Sequence, residues 1–414
     1  MFQGTCPKRV LGGVLVALFV AGIAITIRAQ APSGGTINAC VNSAGLVRII
    51  PFRTACMGNE RPIQWSITGP EGPQGPPGPS DVPVSVVVDC TTGGSVRSAL
   101  DNHRDQSGRL TITIIGVCHE TAYINRDDVS LRGWGEGPGL AVSPGSNANP
   151  LIVAGGQRVS LNGLTLQGGG YGLLVSNGAA VTGQGLHITG AREGLGLWDG
   201  TVRLSDSTIE KSTGANVVVG LGGKLFLSQS TVRDATREGI QVWGGSVQVE
   251  NNTTVQGNAL AGVGIMQGVV RIEHSTITTN GRLGVWLHGG SVSIRDSEIV
   301  DHTDAGLEMT AATAELSNAT VADNHGSGVR AGTGSRLMVN GATIIRNNSH
   351  YGIWLGDTSV VTFDPWGVKA ITGNWAGIVC APAPAVAQIA GGLNPSEVYG
   401  NTSLQISCPG ALPK

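Results

Sequence analysis

One short motif recurs through the middle of this chain and constrains its fold more than any other feature. A glycine is followed by an apolar residue, any residue and a second apolar residue. The motif begins at Gly172, Gly194, Gly239, Gly262, Gly284, Gly306, Gly328, Gly352 and Gly377, and Asn216 fills the one gap. The spacing of 22 to 25 residues is the internal period of a solenoid. Because Asn tolerates a left-handed backbone better than other non-glycine residues, we expect that conformation at this place in the repeat.

Two further apolar patterns recur in each repeat. One alternates in period two, and its pairs are Val202/Leu204, Leu225/Leu227, Val247/Val249, Val270/Ile272, Val292/Ile294, Ala314/Leu316, Leu337/Val339 and Val361/Phe363. The other ends in Ile209, Val232, Val255, Ile277, Ile299, Val321 and Ile345. Three short strands per repeat, with no helical period between them, predict a triangular coil. The predicted fold is therefore all-β, a right-handed parallel β-helix with three-strand coils of about 22 residues.

The start of the predicted β-helix carries a different pattern. An apolar strand from Val84 leads to Cys90, a short helix is predicted from Ser95 to His103, and a second strand begins at Leu110. We expect this N-terminal helix to cap the open end of the stack, which otherwise presents unpaired backbone and apolar side chains.

Polar residues follow the second strand of successive coils, at Asp206, Gln229, Asn252, His274, Asp296 and Asn318. This series resembles the polar turn ladder of the pectin-lyase-like superfamily of right-handed β-helices. The resemblance covers residues 84–380 and implies the fold. It implies no single activity, since the superfamily includes lyases, hydrolases, esterases, epimerases and non-catalytic surface proteins.

The N-terminus is typical of an export signal. Lys8 and Arg9 precede the apolar residues 10–27, and we expect cleavage after Ala29, with an uncleaved membrane anchor as the alternative. The protein is therefore expected to be secreted or at the cell surface. The predicted organisation is a leader (1–29), a cysteine-containing segment (30–68), a collagen-like linker (69–80), a cap with the first coils (81–150), the repeats (151–379) and a C-terminal cap (380–414).

Cysteine usage agrees with export. Six cysteines beyond the leader form three sequence-local pairs, and we predict the disulfides Cys40–Cys56, Cys90–Cys118 and Cys380–Cys408. None has the close spacing of a zinc site, and no acidic cluster is suited to calcium. We expect no metal and no cofactor.

Residues 69–80 follow an uninterrupted Gly-X-Y pattern, the period that a collagen triple helix requires. Four triplets are too few to hold three chains together unaided, so a stiff polyproline-type spacer and a homotrimer segment both remain open. With the cysteine pair before it, the pattern resembles cysteine-containing segments that precede collagen-like runs in secreted bacterial proteins.

The residues that alternate with the buried positions of the glycine motif must face outward. They include four of the eight tryptophans, namely Trp198, Trp243, Trp286 and Trp354. The preceding turn carries Arg192, Arg237 and Arg282, each 45 residues from the next. Two coils advance about 9.6 Å, near the length of a disaccharide. We therefore hypothesise that indole rings stack on the sugars of an acidic polysaccharide while guanidinium groups pair with its anionic oxygens.

Other interpretations remain open at the same positions. The tryptophans could pack beneath loops or form a subunit contact. A polysaccharide lyase or glycoside hydrolase could use Glu193, Glu238, Glu308 or His288, although Glu193 and Glu238 are more simply explained as ion-pair partners of the adjacent arginines. The sequence contains no paired Asp-Asp on a predicted cleft strand and no Gly-His-Gly.

Composition narrows the choice of partners. The net charge of −2 gives no basic footprint, so nucleic acid is not expected as a partner. A membrane contact is expected only through an uncleaved N-terminal segment. The leading prediction is thus an exported β-helix protein with a non-catalytic binding or structural role.

Overall fold

The computed structural model describes residues 36–51, 53–66, 82–367, 369–382 and 386–408. Contacts divide the chain into two compact units, with the division between residues 77 and 78. The predicted leader and the Gly-X-Y run lie outside the described residues. Within the described ranges, no helix has the length and apolar character needed to cross a bilayer.

The described residues of the first unit form a three-stranded antiparallel sheet. Its central strand, Thr36–Asn42, pairs with Val47–Ile50 on one side and with Glu60–Ser66 on the other. The Cys40–Cys56 disulfide fastens the loop after the second strand to the central strand, and this confirms the predicted pair. Cys40 is fully buried.

The second unit is a parallel β-helix of thirteen coils. One sheet, which we call the front sheet, takes a single strand from each coil. Its strands are Ala122–Ile124, Leu151–Ala154, Tyr171–Ser176, Glu193–Leu197, Val217–Val219, Ile240–Trp243, Ala261–Met266, Leu283–His288, Leu307–Thr310, Val329–Ala331, Tyr351–Leu355, Ala376–Cys380 and Leu404–Ser407.

The other two rows of strands join into one sheet of 25 strands. The first row contains Val84–Asp89, Leu110–Cys118, Val129–Ala141, Val159–Asn162, Ala180–Gln184, Thr201–Ser205, Lys224–Ser228, Ser246–Glu250, Val269–Glu273, Ser291–Arg295, Thr313–Ser317, Arg336–Asn340, Val360–Phe363 and Gln388–Gly391. The second contains Thr165–Gln167, His187–Thr189, Thr208–Glu210, Thr231–Arg233, Thr254–Gln256, Thr276–Thr278, Glu298–Val300, Thr320–Ala322, Ile344–Arg346, Ala370–Thr372 and Val398–Tyr399.

The core consists of the aliphatic columns that the repeat predicts. Val202, Val232 and Leu195 represent the three rows, and each is fully buried. Strands of successive coils pair in parallel register, so that Val202 stands beside Leu225 and Leu195 beside Val217. Each such side chain contributes about 1.5–3 kcal/mol by leaving water. The right-handed parallel β-helix is confirmed.

Both ends of the β-helix are tied by a disulfide. The N-terminal helix, Val96–Asn102, begins after Ser95, whose hydroxyl accepts the amide proton of Ser98 as an N-cap. Its buried side chains belong to the same core cluster as the first coils, as predicted for a capping helix. Cys90–Cys118 lies at this end, and Cys380–Cys408 joins the segments that carry the last two strands of the front sheet, which confirms both predicted pairs. Two short 3-10 helices, Cys90–Thr92 and Pro395–Glu397, complete the secondary structure of the described residues.

The motif glycine is needed for space and not for a left-handed backbone. At Gly328 the backbone φ is not positive. A Cβ there would lie 2.6 Å from Ile345 Cγ2 and 2.8 Å from both Asn348 Nδ2 and the carbonyl oxygen of Gly352. The glycine column therefore permits close approach of the next coil.

The expected left-handed conformation at Asn216 is accordingly wrong. Its φ is not positive, and its side chain is fully buried. The amide Nδ2 donates to the carbonyl oxygen of Arg233 at 2.7 Å and to Asn258 Oδ1 at 3.2 Å. In the next coil Ala235 takes the place where later coils have a buried Asn, so that the Asn216 amide fills the space.

That buried amide column runs through the second half of the β-helix. Its members are Asn258, Asn280, His302, Asn324, Asn348, Asn374 and Asn401, all buried. Each side chain after that of Asn258 accepts the backbone amide proton of the preceding member, for example from Asn324 N to Asn348 Oδ1 at 3.2 Å. We call this column the asparagine ladder. It satisfies polar backbone groups at a turn that would otherwise be buried without partners.

Candidate functional site

Outward residues of the front sheet form two columns along the axis of the β-helix. One column, two residues after the motif glycine, contains Gln241, Gly264, Trp286, Glu308, Arg330 and Trp354 in successive coils. The other, two residues further on, contains Trp198, Gly220, Trp243, Met266, His288 and Thr310. Strand alternation thus places all four predicted tryptophans on the outside of one sheet.

An open groove lies over the second column. It encloses about 410 Å³ and is lined chiefly by Trp198, Leu221, Trp243, Met266 and His288. The two indoles are 40% and 42% exposed, and Leu221 is 75% exposed. A large apolar surface that remains in contact with water along several coils is typical of a ligand-binding groove or an interaction surface.

The indole of Trp198 lies directly against the backbone of Gly220 in the next coil. A Cβ at Gly220 would overlap the benzo edge of this ring. The missing side chain therefore lets the indole lie along the sheet towards Trp243. Sequence reasoning identified both tryptophans but missed Leu221, which follows the strand in a turn and has no place in the alternating pattern.

A second cavity of about 230 Å³ lies over the first column. Glu238, Arg282, Trp286 and Glu308 are among its lining residues. Trp286 is half-buried, because its ring packs against the small cluster of Ala261, Leu283 and Ala305. This indole is therefore less open than those of the groove. Neither cavity includes Trp354, which is half-buried beside Arg330.

The carboxylates differ in their partners. Glu238 has a side chain only 10% exposed, and its Oε2 lies 3.4 Å from Arg237 Nε. Among the described residues no donor forms a hydrogen bond to that oxygen. Glu308 is paired with Arg330, which also reaches Asp304 Oδ1 at 2.7 Å. The two carboxylates of this second group therefore share one guanidinium.

Glu193 does not form the expected ion pair with Arg192. Its Oε2 instead accepts the backbone amide proton of Ala215 at 2.7 Å. Burial raises the pKa of the Glu193 carboxyl above its ordinary value, against the lowering effects of that hydrogen bond and of the nearby arginines. A carboxyl with a raised pKa is suited to proton donation, which keeps Glu193 among the candidate catalytic groups.

The predicted arginines form a column at the edge of the front sheet. The backbone amide of Gly214 donates to the carbonyl oxygen of Arg192, so that Gly214 holds the equivalent position in the coil after Arg192. In the same way Leu260 donates to Arg237 and accepts from Arg282, so that Leu260 lies in the coil between these two arginines. The guanidinium groups therefore occupy alternate coils, in step with Trp198, Trp243 and His288. Arg192 and Arg282 are exposed, and in the described part of the chain neither forms an ion pair. Their charge is available to a ligand.

Other polar clusters have structural explanations. On the opposite sheet, buried Glu210 pairs with Arg233 at 2.6 Å and with His187 at 3.1 Å. Across the described ranges, the one close group of possible metal ligands is Cys40, Cys56 and Glu60, and its two sulfur atoms form a disulfide.

The fold and this face define the class of protein: a capped, disulfide-tied parallel β-helix with a solvent-open aromatic groove on one sheet. The chain belongs to the family described as "Right handed beta helix region", whose model matches residues 150–291 and 261–382. No curated protein matches the chain by sequence.

Solved structures share the fold at low sequence identity. The chain is similar to the A-module of the mannuronan C-5 epimerase AlgE4 of Azotobacter vinelandii, with a TM-score of 0.51, 15% identity, and coverage of 76% of this chain and 95% of that chain. The A-module of AlgE6 from the same organism gives a TM-score of 0.50 and 15% identity, over 79% of this chain and 100% of that chain. At these identities the likeness establishes the fold alone.

Proposed function

We propose that the front-sheet groove binds an acidic polysaccharide without cleaving it. The observation that carries this proposal is the open groove between Trp198 and Trp243. Sugars present flat C–H faces that pack well on aromatic rings.

The spacing of the groove suits a chain of sugars. Trp198 and Trp243 lie on alternate coils, about 9.6 Å apart along the axis at the usual strand spacing. This repeat is near the length of a disaccharide, so that every second sugar would meet the same chemical surroundings. An extended ligand would therefore lie along the β-helix axis and not across it.

Charge favours an acidic ligand. Arg192 and Arg282 stand in the same coils as Trp198 and His288 and have no carboxylate partner in the described structure. Arg237 is already near Glu238. A guanidinium group pairs with carboxylate or sulfate oxygens through two parallel hydrogen bonds, which gives an acidic polysaccharide an advantage over a neutral one.

Two further facts support a carbohydrate outside the cytoplasm. The mannuronan C-5 epimerases that share this fold act, by their names, on mannuronan. Three disulfides in one chain are typical of proteins that fold in an oxidising compartment.

A panel of immobilised acidic and neutral polysaccharides tests the proposal. We expect the unaltered protein to bind at least one acidic member, and Trp243→Ala to weaken that binding by about 10-fold or more, since one stacked aromatic contributes about 1.5 kcal/mol or more. Trp134→Ala is the matched control, because Trp134 is 69% exposed and lies outside the groove. Failure of the unaltered protein to bind any member would refute the proposal.

A second candidate function is cleavage of a polysaccharide. It is favoured by one observation, the presence of Glu238 and Glu308 in a single cavity with Arg282. A hydrolase would release new reducing ends, and a lyase would give unsaturated products that absorb ultraviolet light. Loss of either activity in Glu238→Gln, with glycan binding retained, would support this second function over binding alone.

A further inference from the structure

The small N-terminal sheet has two chemically different faces. Side chains alternate along each strand, and residues directly opposite one another share a face. One face carries Cys40 and Ile50, both buried, with the Arg48–Glu60 ion pair at 2.5 Å. The loop fastened by the Cys40–Cys56 disulfide belongs to this face. This face therefore has its own covering and its own polar contacts.

The other face is apolar from edge to edge. In register across the three strands it carries Ile37, Ala39, Val41, Val47, Ile49, Ile63 and Trp65, with Arg61 at one end. Val47, Ile49 and Trp65 are 52%, 68% and 42% exposed. An isolated three-stranded sheet gains little stability from a face left in water. We call this surface the apolar face of the small sheet.

We propose that the apolar face is the surface through which three copies of this chain associate. The inference goes beyond polysaccharide binding and does not depend on it. The apolar side chains of three sheets would meet around a threefold axis, with the disulfide-tied faces turned outward. Each Ile or Trp side chain that is buried in the trimer contributes about 1.5–3 kcal/mol to association.

The adjoining sequence identifies the occupant as further copies of the same chain. The Gly-X-Y run begins at Gly69, three residues after the last strand ends at Ser66. Glycine at every third residue has its physical use where three chains share an axis. Four triplets cannot hold three chains together, so that an adjacent trimeric surface would supply the missing association energy and align the chains.

Sedimentation equilibrium on the purified full chain, in density-matched detergent, tests this assembly. We expect a trimer for the unaltered protein. Ile49→Glu would raise the concentration needed for trimers by about 100-fold or more, because each trimer would bury three unpaired carboxylates. Val269→Glu is the matched control, since Val269 is a 56% exposed strand residue of the β-helix, and it should remain trimeric. Mass spectrometry that finds the Cys40–Cys56 disulfide in Ile49→Glu would show that the sheet still folds.

Gly75→Ala separates the contribution of the Gly-X-Y run to trimer stability from that of the apolar face, because it interrupts the Gly-X-Y pattern and leaves the sheet unchanged. We expect trimers of this variant that dissociate at a lower temperature. A monomeric or dimeric unaltered protein would overturn the proposal. So would trimers in Ile49→Glu at the concentration of the unaltered protein, or binding of the unaltered monomer to phosphatidylglycerol vesicles that Ile49→Glu abolishes.

Discussion

His302 Nδ1 accepts a hydrogen bond from the backbone amide of Asn280, at 3.2 Å, in the middle of the asparagine ladder. Its Nε2 lies 3.2 Å from the carbonyl oxygen of Ile277 and donates to it. The two contacts fix the neutral imidazole with its proton on Nε2. Histidine thus substitutes for asparagine in the ladder by offering one acceptor and one donor.

This arrangement makes stability depend on pH. Burial lowers the pKa of His302 from 6.5 to about 4. The unfolded chain therefore binds this proton first as the pH falls. The contribution of neutral His302 to the free energy of unfolding is complete above about pH 6.5. It is lost progressively as the pH falls from 6.5 to 4, by about 3 kcal/mol in total.

His302→Asn should remove that loss, because the asparagine that replaces it does not titrate and fits the ladder. We expect the free energy of unfolding of this variant to fall less between pH 7 and pH 4.5 than that of the unaltered protein, measured by urea denaturation. His274→Asn is the control, since His274 has an exposed side chain. Equal pH dependence in His302→Asn and the unaltered protein would contradict the assignment.

Gly328→Ala should destabilise the β-helix by about 3 kcal/mol, because its Cβ would press on the next coil from three sides. Gly178→Ala provides the comparison. Gly178 has a φ of +74°, and no atom lies within 4 Å of the place that a Cβ would take, so that only backbone strain of about 1 kcal/mol is expected. Chemical unfolding of both variants measures the difference, and equal losses would show that packing at the motif glycine is not limiting.

Gly220→Ala should displace the Trp198 indole from the sheet, because the new methyl group would overlap the ring. Little stability is lost, since the indole is already 40% exposed and can move into solvent. We expect weaker binding to any glycan that the unaltered protein binds, and a shift in the tryptophan emission that is absent in a Trp198→Phe background. Gly190→Ala, with open space around the added carbon, should change neither property.

The carboxyl of Glu193 should titrate above the ordinary range of glutamate, since burial raises its pKa. Glu238→Gln should lower this pKa because the Glu238 charge raises it, and Arg192→Ala should raise it because the arginine charge lowers it. A ¹³C NMR titration of the glutamate carboxyl groups measures both shifts. Movement in the opposite direction in either variant would show that Glu193 is not surrounded as described.

Sequence reasoning predicted the strands and their faces because these follow from local periodicity. Residues such as Leu204 and Ile277 had to be inside once the period of two was recognised, and both are buried. It failed at Asn216, where the tolerance of Asn for a left-handed backbone suggested that conformation. The Asn216 amide instead fills the space beside Ala235 of the next coil, which has no side-chain amide. It also missed the asparagine ladder, although Asn258, Asn280 and Asn324 stand four residues before a motif glycine.

The amino-acid sequence by itself determined the coil, the inward columns and the outward position of Trp198 and Trp243. A strand fixes the direction of each side chain from its neighbours in the chain. Tertiary structure decided which outward residues meet. Gly220 allows the Trp198 indole to lie along the sheet, and Arg330 forms an ion pair with Glu308. These outcomes depend on side chains a full coil apart, and their rotamers are set only when the coils stack.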